Sequence, residues 1–184
     1  DISDVFGHYT YVLAGDGDFQ EPIVLGAGSM AGHWGLSRLI VYYDANNAQI
    51  SGKVGRSDST NYAQVFEGFG WHVQEIDGHN HDKIREAIEK AQVVDRPSLI
   101  IGTTIMAKGA ANVEGDHETH GSPLDYDEIS ATKDKLGLPQ DSFYSNETVS
   151  NHFRKRFLSL SEQAKEWESK INEASKNDDF KKYW

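Results

Sequence analysis

Two short polar motifs, each closing an apolar run, constrain this chain more than any other feature. Tyr9 to Ala14 is rich in aromatic and β-branched residues and stops at Gly15-Asp16-Gly17. Arg38 to Asp44 is a second near-continuous apolar run and stops at Ala45-Asn46-Asn47. Each reads as a strand running into a tight loop, and the second run has the composition of a strand covered on both faces. Between them, Glu21 to Trp34 is small and apolar with Pro22 at its start, which predicts a helix buried on most sides despite Gly26, Gly28 and Gly32. Strand, helix, strand makes a parallel crossover unit. Both motifs then lie at carboxyl ends of strands, where open parallel sheets gather their ligands.

The alternation continues. A helix is expected near Asn61 to Phe69, a strand at Trp71 to Ile76, a helix with Ile84, Ala87, Ile88 and Ala91 on one face, and a strand at Pro97 to Thr104. The fold class is therefore α/β, a parallel sheet flanked by helices. Ile105 to Ser122 has little periodicity and is longer than ordinary connections, so it is either functional or mobile. Helices follow at Asp125 to Leu136 and along an amphipathic stretch from Val149 to Ala174. The expected organisation is a ligand-binding domain over residues 1–124 and a helical extension over 125–184.

Composition excludes several functions. There are no cysteines, which removes disulfides, thiolate metal sites and cysteine nucleophiles and favours a reducing, cytoplasmic compartment. No run approaches the roughly 20 apolar residues that span a bilayer, and Asp1-Ile2-Ser3-Asp4 does not begin a signal peptide. A net charge of −11 would be repelled by nucleic acid.

The glycines of the first motif let backbone approach an anion closely, and a following helix start would add a positive dipole end, so the site suits a phosphate group. Yet the only basic side chain between Gly15 and Asn47 is Arg38, besides the histidine His33. A bound diphosphate would need a metal ion to balance its charge. Asp16 offers a carboxylate, Asn46 an amide oxygen, and the backbone beyond Asn47 a carbonyl, all hard oxygen donors of the kind magnesium prefers.

Gly-Asp-Gly, then 28 residues (positions 18 to 45), then Asn-Asn resembles the fingerprint of thiamine-diphosphate enzymes. The match narrows to the transketolase family through Tyr9-Thr-Tyr-Val, Gly15-Asp-Gly-Asp-Phe-Gln-Glu21, Ser29-Met-Ala-Gly-His33, Leu39-Ile-Val-Tyr-Tyr-Asp44, Ile50-Ser-Gly52, Gly70-Trp71, Arg96-Pro-Ser-Leu-Ile100, Thr103-Thr-Ile105 and His120-Gly-Ser-Pro-Leu124. The resemblance implies thiamine diphosphate as cofactor with magnesium, calcium or manganese as its metal. It makes Asp16, Asn46 and the Ala48 carbonyl the metal ligands, with Gly15, Gly17 and Asn46 at the cofactor and Ile50 beside its thiazolium ring. His120 would bind diphosphate and substrate and serve in catalysis, where an imidazole stabilises an alkoxide or moves a proton. Glu21 resembles a family carboxylate at a subunit interface, and equally suits a helix amino terminus. His117 would border the substrate channel at most, while His33 and Trp34 suit packing at a helix end.

The implied activity is transfer of a two-carbon ketol unit from a ketose phosphate to an aldose phosphate, in a homodimer. Gly26 departs from the family, which often carries a second glutamate there. The expected chain is a part of such an enzyme, inactive alone and completed by the remaining domains and a second subunit. Alternatives are dihydroxyacetone synthase, the amino-terminal chain of a split transketolase, and a non-catalytic interaction module.

Overall fold

The computed structural model describes residues 5–50 and 52–183; Asp1 to Asp4, read above for a signal sequence, and Ser51, within the Ile50-Ser-Gly52 motif, lie outside the described residues. The chain divides into two compact units, Tyr9–Leu138 and a second made of Asp1–His8 with Pro139–Trp184.

The first unit is built on four parallel strands: β1 (Thr10–Gly15), β2 (Leu39–Ala45), β5 (His72–Asp77) and β6 (Ser98–Thr103), in the order β1-β2-β6-β5. Between β2 and β5 in the chain, two-residue strands β3 (Ala48–Gln49) and β4 (Gly52–Lys53) form a small antiparallel ribbon. The crossovers carry α1 (Asp16–Phe19), α2 (Pro22–His33), α3 (Tyr62–Gly68) and α4 (His81–Ala91), and α5 (Tyr126–Leu136) closes the unit. Asn61, Asn80 and Asp125 cap α3, α4 and α5 through side-chain oxygens, satisfying amides that a helix start leaves unpaired. The expected α/β fold is present, with strand boundaries within a residue or two of those expected.

Alternation along the strands sorts the core into two layers. Leu99 and Ile101 face Phe19, Tyr43, Tyr62, Phe66 and Trp71, whereas Ile100 and Ile40 face Ala87 and Ala91 of α4. Two glycines let α2 approach the first layer. A Cβ on Gly32 would sit 1.9 Å from the Phe69 carbonyl oxygen and one on Gly28 would sit 2.9 Å from the Phe66 ring. The Trp71 indole completes that contact by donating to the Gly28 carbonyl at 2.8 Å.

The prediction that this helix is buried on most sides is not met. Gly28 and Ala31 are its buried residues, while Ile23 is 76% exposed and Leu25, Met30 and Trp34 are exposed as well. The apolar pattern of α2 has two sides, and the unit itself covers one. Edge strand β1 behaves likewise, with Leu13 83% exposed.

The long connection after β6 is organised by acidic residues. Glu128 of α5 accepts the Asn112 amide (2.9 Å) and side chain (2.8 Å), and Lys135 donates to the Ala110 carbonyl at 2.6 Å. Within the loop, Glu114 accepts the Gly109 amide at 2.9 Å and pairs with Lys108 at 3.0 Å and Lys135 at 3.6 Å.

The second unit contains α6 (Glu147–Ala174), capped by Asn146, and α7 (Asp178–Tyr183). The Trp167 indole donates to the Val5 carbonyl at 2.8 Å, and Phe6 stacks on Phe180 at 6.0 Å between ring centroids.

The Gly109 amide, then Lys108, hold the Glu114 carboxyl down at about 2, from 4.5. A carboxyl depressed on folding stabilises above its unfolded value, and that contribution is lost as pH falls through the folded one. Amide exchange across residues 109–115 is therefore expected to be faster in Glu114→Gln than in the parent protein at neutral pH. The difference should shrink as pH falls from 4.5 towards 2; equal exchange at neutral pH would show that the carboxylate does not order the loop.

Candidate functional site

The site is built where three adjacent strands end. Register sets Gly15 beside Asp44, Asp44 beside Gly102 and Ala45 beside Thr103, so the residues following β1, β2 and β6 share one corner of the sheet.

Asp16 lies at the centre. It is only 5% exposed, and a carboxylate removed from water needs hydrogen-bond donors in place of the solvent it has lost. Three donors converge on it. Tyr43 donates its hydroxyl to Oδ1 at 2.6 Å, and the backbone amides of Asn46 and Ala48 donate to Oδ2 at 3.2 and 3.3 Å. Burial first, then the bond to Asp16, pushes the Tyr43 phenol well above its ordinary value, so it remains a donor throughout the physiological range. The same ring stacks on Phe19 at 4.1 Å, tying the site to the core.

The Asn46 loop wraps around this carboxylate because of both asparagines. The Asn46 side-chain oxygen accepts the Ala48 amide at 2.9 Å, closing a local turn. Asn47 adopts a left-handed backbone (φ 58°), a conformation asparagine tolerates better than most residues. Val54 donates its amide to the Asn47 carbonyl, so the Ala48/Lys53 pair is a non-hydrogen-bonded pair of the ribbon and Ala48 turns its own amide towards Asp16. A ring of side chains holds the ribbon in place. Gln20 donates to Gln49 at 2.9 Å, Gln49 to Ser57 at 2.8 Å, and Ser57 to Gln20 at 3.2 Å.

Gly-Asp-Gly itself differs from the expected loop. Asp16 and Gly17 belong to the single-turn α1, and Asp18 already accepts the Gly15 amide at 2.8 Å. The long helix starts only at Pro22, so its dipole end is not at Gly17. Gly17 is exposed, and a Cβ there would meet nothing within 4 Å; close approach by a ligand remains open at this residue.

Sequence reasoning brought Asp16, Asn46 and Ala48 together, and the fold does so too. Ile50 sits at the tip of the ribbon, 86% exposed. Glu21 is the N-cap residue of α2 with no side-chain capping bond, also exposed. His120 follows the short turn His117–Thr119, which lies against β4, so the long connection returns to the ribbon that follows Asn46. Asp116 organises that turn through the Glu118 amide at 2.9 Å and lies 3.4 Å from His117 Nδ1. The His120 ring is exposed.

Three residues at this corner were missed by the sequence reading. Tyr43 and Asp44 read as the end of an apolar strand and Thr104 as the end of another, yet all three hydrogen-bond into the corner. Asp44 accepts from the Asn46 side-chain nitrogen at 3.0 Å and from the Thr104 hydroxyl. An acidic residue two positions before Asn46, on a strand, was the available signal.

The donor set fits a hard cation. Each sp² oxygen has two lone-pair directions, so Asp16 Oδ1 can accept from Tyr43, and Asn46 Oδ1 from Ala48, while still facing a cation. Among the described residues no three His, Cys, Asp or Glu side chains cluster as a metal site. A cation here would accordingly be held by one carboxylate and neutral oxygens, and would need further oxygens from a ligand or water to complete an octahedral shell.

Four parallel strands with a buried acidic residue and a hydrogen-bonded loop at their carboxyl ends make an α/β domain of the kind that gathers ligands at that edge. Residues 1–183 match the family described as transketolase, thiamine diphosphate binding domain, and the chain belongs to that family. It is 37% identical over 177 residues to a chloroplastic transketolase of Zea mays, covering 95% of this chain and 26% of that protein. Similarity to the transketolase of Sinorhizobium medicae is 42% over 142 residues, covering 77% of this chain and 20% of the relative. The crystal structure of transketolase from Campylobacter jejuni superposes with a TM-score of 0.85 at 38% identity, over 92% of this chain and 27% of that one. The chain thus spans about a quarter of the length of these relatives.

Tyr43→Phe would keep the stacking on Phe19 and remove one donor from the buried carboxylate. It is expected to destabilise the whole polypeptide by about 1–3 kcal/mol, read as a lower denaturant midpoint. An unchanged midpoint would show that Asp16 does not depend on the phenol.

Proposed function

We propose that this chain supplies the metal and diphosphate site of a transketolase, acting within a longer protein or assembly that transfers a two-carbon ketol unit between sugar phosphates. The observation that carries this reading is the convergence of the Asp16 carboxylate, the Asn46 amide oxygen and the Ala48 backbone at adjacent strand ends. Thiamine diphosphate, when bound, supplies the carbon nucleophile and the electron sink for ketol transfer. The chain's own residues bind and orient. Asp16, Asn46 and the Ala48 carbonyl hold a divalent cation, preferentially magnesium, with calcium and manganese as substitutes. Gly15 and Gly17 keep the approach to the diphosphate free of side chains, and Ile50 offers an apolar contact to the thiazolium. His120, carried by the turn against β4, binds the diphosphate and the substrate and moves a proton at the substrate oxygen.

The uncovered apolar sides of α2 and β1, with Leu13 and Ile23 exposed, support packing against further domains and a second subunit, and Glu21, exposed at the start of α2, is the interface candidate. The lack of cysteine supports a reducing compartment such as the cytoplasm. No helix among the described residues is long and apolar enough to cross a membrane.

Calorimetric titration of thiamine diphosphate into the full polypeptide tests the cation. Binding is expected to require magnesium and to be lost with chelator, and Asp16→Ala should weaken it at least tenfold, through loss of the only charged protein ligand proposed here. Binding of equal strength with and without a divalent cation would refute the site.

His120→Ala tests the catalytic role separately. Turnover should fall by about 100-fold or more, the range of a lost general acid or base, with a smaller loss in cofactor affinity. Equal losses in both would reduce His120 to a binding residue.

A further inference from the structure

Asp44 takes no ligand role in the reading above, yet it lies between two of the three strand ends that make the site. One of its carboxylate oxygens accepts the Asn46 side-chain nitrogen at 3.0 Å, and the other accepts the Thr104 hydroxyl from the end of β6. The Asn46 amide is therefore held from both sides by groups of opposite kind. Asp44 presents an acceptor to its nitrogen, and the Ala48 amide presents a donor to its oxygen at 2.9 Å. Turning the amide over would set nitrogen against the Ala48 donor and oxygen against the Asp44 carboxylate, losing both bonds at once. Only the observed orientation places an oxygen, and not an NH₂ group, at the Ala48 amide that Asp16 also accepts.

We infer that Asp44 is a positioning residue that selects the oxygen of Asn46 as the face offered to the metal, braced in turn by Thr104. The amide nitrogen has its lone pair delocalised into the carbonyl and presents two hydrogens, so it cannot bind a hard cation, and this choice decides whether Asn46 is a ligand. The second tie has a further consequence. Thr104 also donates its amide to the Ala45 carbonyl at 3.2 Å, and the next amide, that of Ile105, donates to His79 at 2.8 Å. The strand end that begins the His120 connection is thus fastened to the Asn46 loop through Asp44. The inference rests on the proposed metal site.

The test uses the full polypeptide and reads the magnesium concentration that half-saturates thiamine diphosphate binding, together with the thermal midpoint of the apoprotein. Asp44→Asn is expected to raise that concentration by about tenfold, the lower end of the effect of residues that orient metal ligands. In an Asn46→Asp background the same substitution should act in the opposite direction. There it relieves two facing carboxylates and restores a bond with donor and acceptor exchanged. Thr104→Val should raise the half-saturating concentration less than Asp44→Asn does, and it keeps the inference testable where Asp44→Asn does not fold. A loss of similar size in both backgrounds would mean that Asp44 acts only through its charge or through general stability, and the inference would fall. So would an unchanged magnesium dependence in Asp44→Asn or in Thr104→Val. If the parent protein bound thiamine diphosphate without regard to magnesium, the metal site would fall first and this inference with it.

Discussion

A single buried carboxylate organises the corner of the sheet on which everything else depends. Burying Asp16 without partners would cost several kcal/mol, so the chain around it must deliver donors, and it does so from one strand and one loop. Tyr43 reaches it from β2, and the amides of Asn46 and Ala48 reach it only if the chain reverses at once after that strand. The left-handed backbone at Asn47 performs the reversal. The ribbon β3–β4, its ring of glutamine and serine contacts, and the approach of the His120 turn all follow from where that loop is held.

Strand order converts this local arrangement into a site. Because β2 lies between β1 and β6, the ends of three strands meet, and each contributes a polar side chain: Asp16, Asp44 and Thr104. Acidic side chains bind the long connection in the same way in its middle, where Glu114 and Glu128 collect amides and lysines beside α5. A net charge of −11 is therefore not spread idly over the surface. Several of its carboxylates serve as acceptors for loop amides that no helix or strand would satisfy.

Much of this was readable in the chain. Periodicity located the four strands of the parallel sheet and the helices between them, since a buried strand and an amphipathic helix impose different spacings on apolar residues. Gly-Asp-Gly and Asn-Asn marked the two strand ends that meet, and the family resemblance agrees with the family match over residues 1–183. What escaped was short or depended on distant partners. The two-residue strands β3 and β4 have no period to detect. Tyr43, Asp44 and Thr104 looked like strand termini because their roles come from residues 27 and 60 positions away. The helix α2 was expected to be buried from its composition, but composition reports that a surface is apolar and not what covers it.

The sequence by itself determined the class of fold, the strand ends at which the candidate site lies, and the presence of oxygen donors in a segment, Gly15 to Asn47, that holds no lysine or cysteine. These are properties of local pattern and residue type. Tertiary structure alone decided that Gly-Asp-Gly enters a helical turn rather than a loop, and that Asp16 is enclosed by the amides of a second strand's loop. It also decided that the Asn46 nitrogen meets Asp44 and its oxygen the Ala48 amide. The physical reason is that a hydrogen bond has a direction and a short reach: which donors and acceptors meet depends on the register of strands far apart in the chain, and no local pattern contains that register.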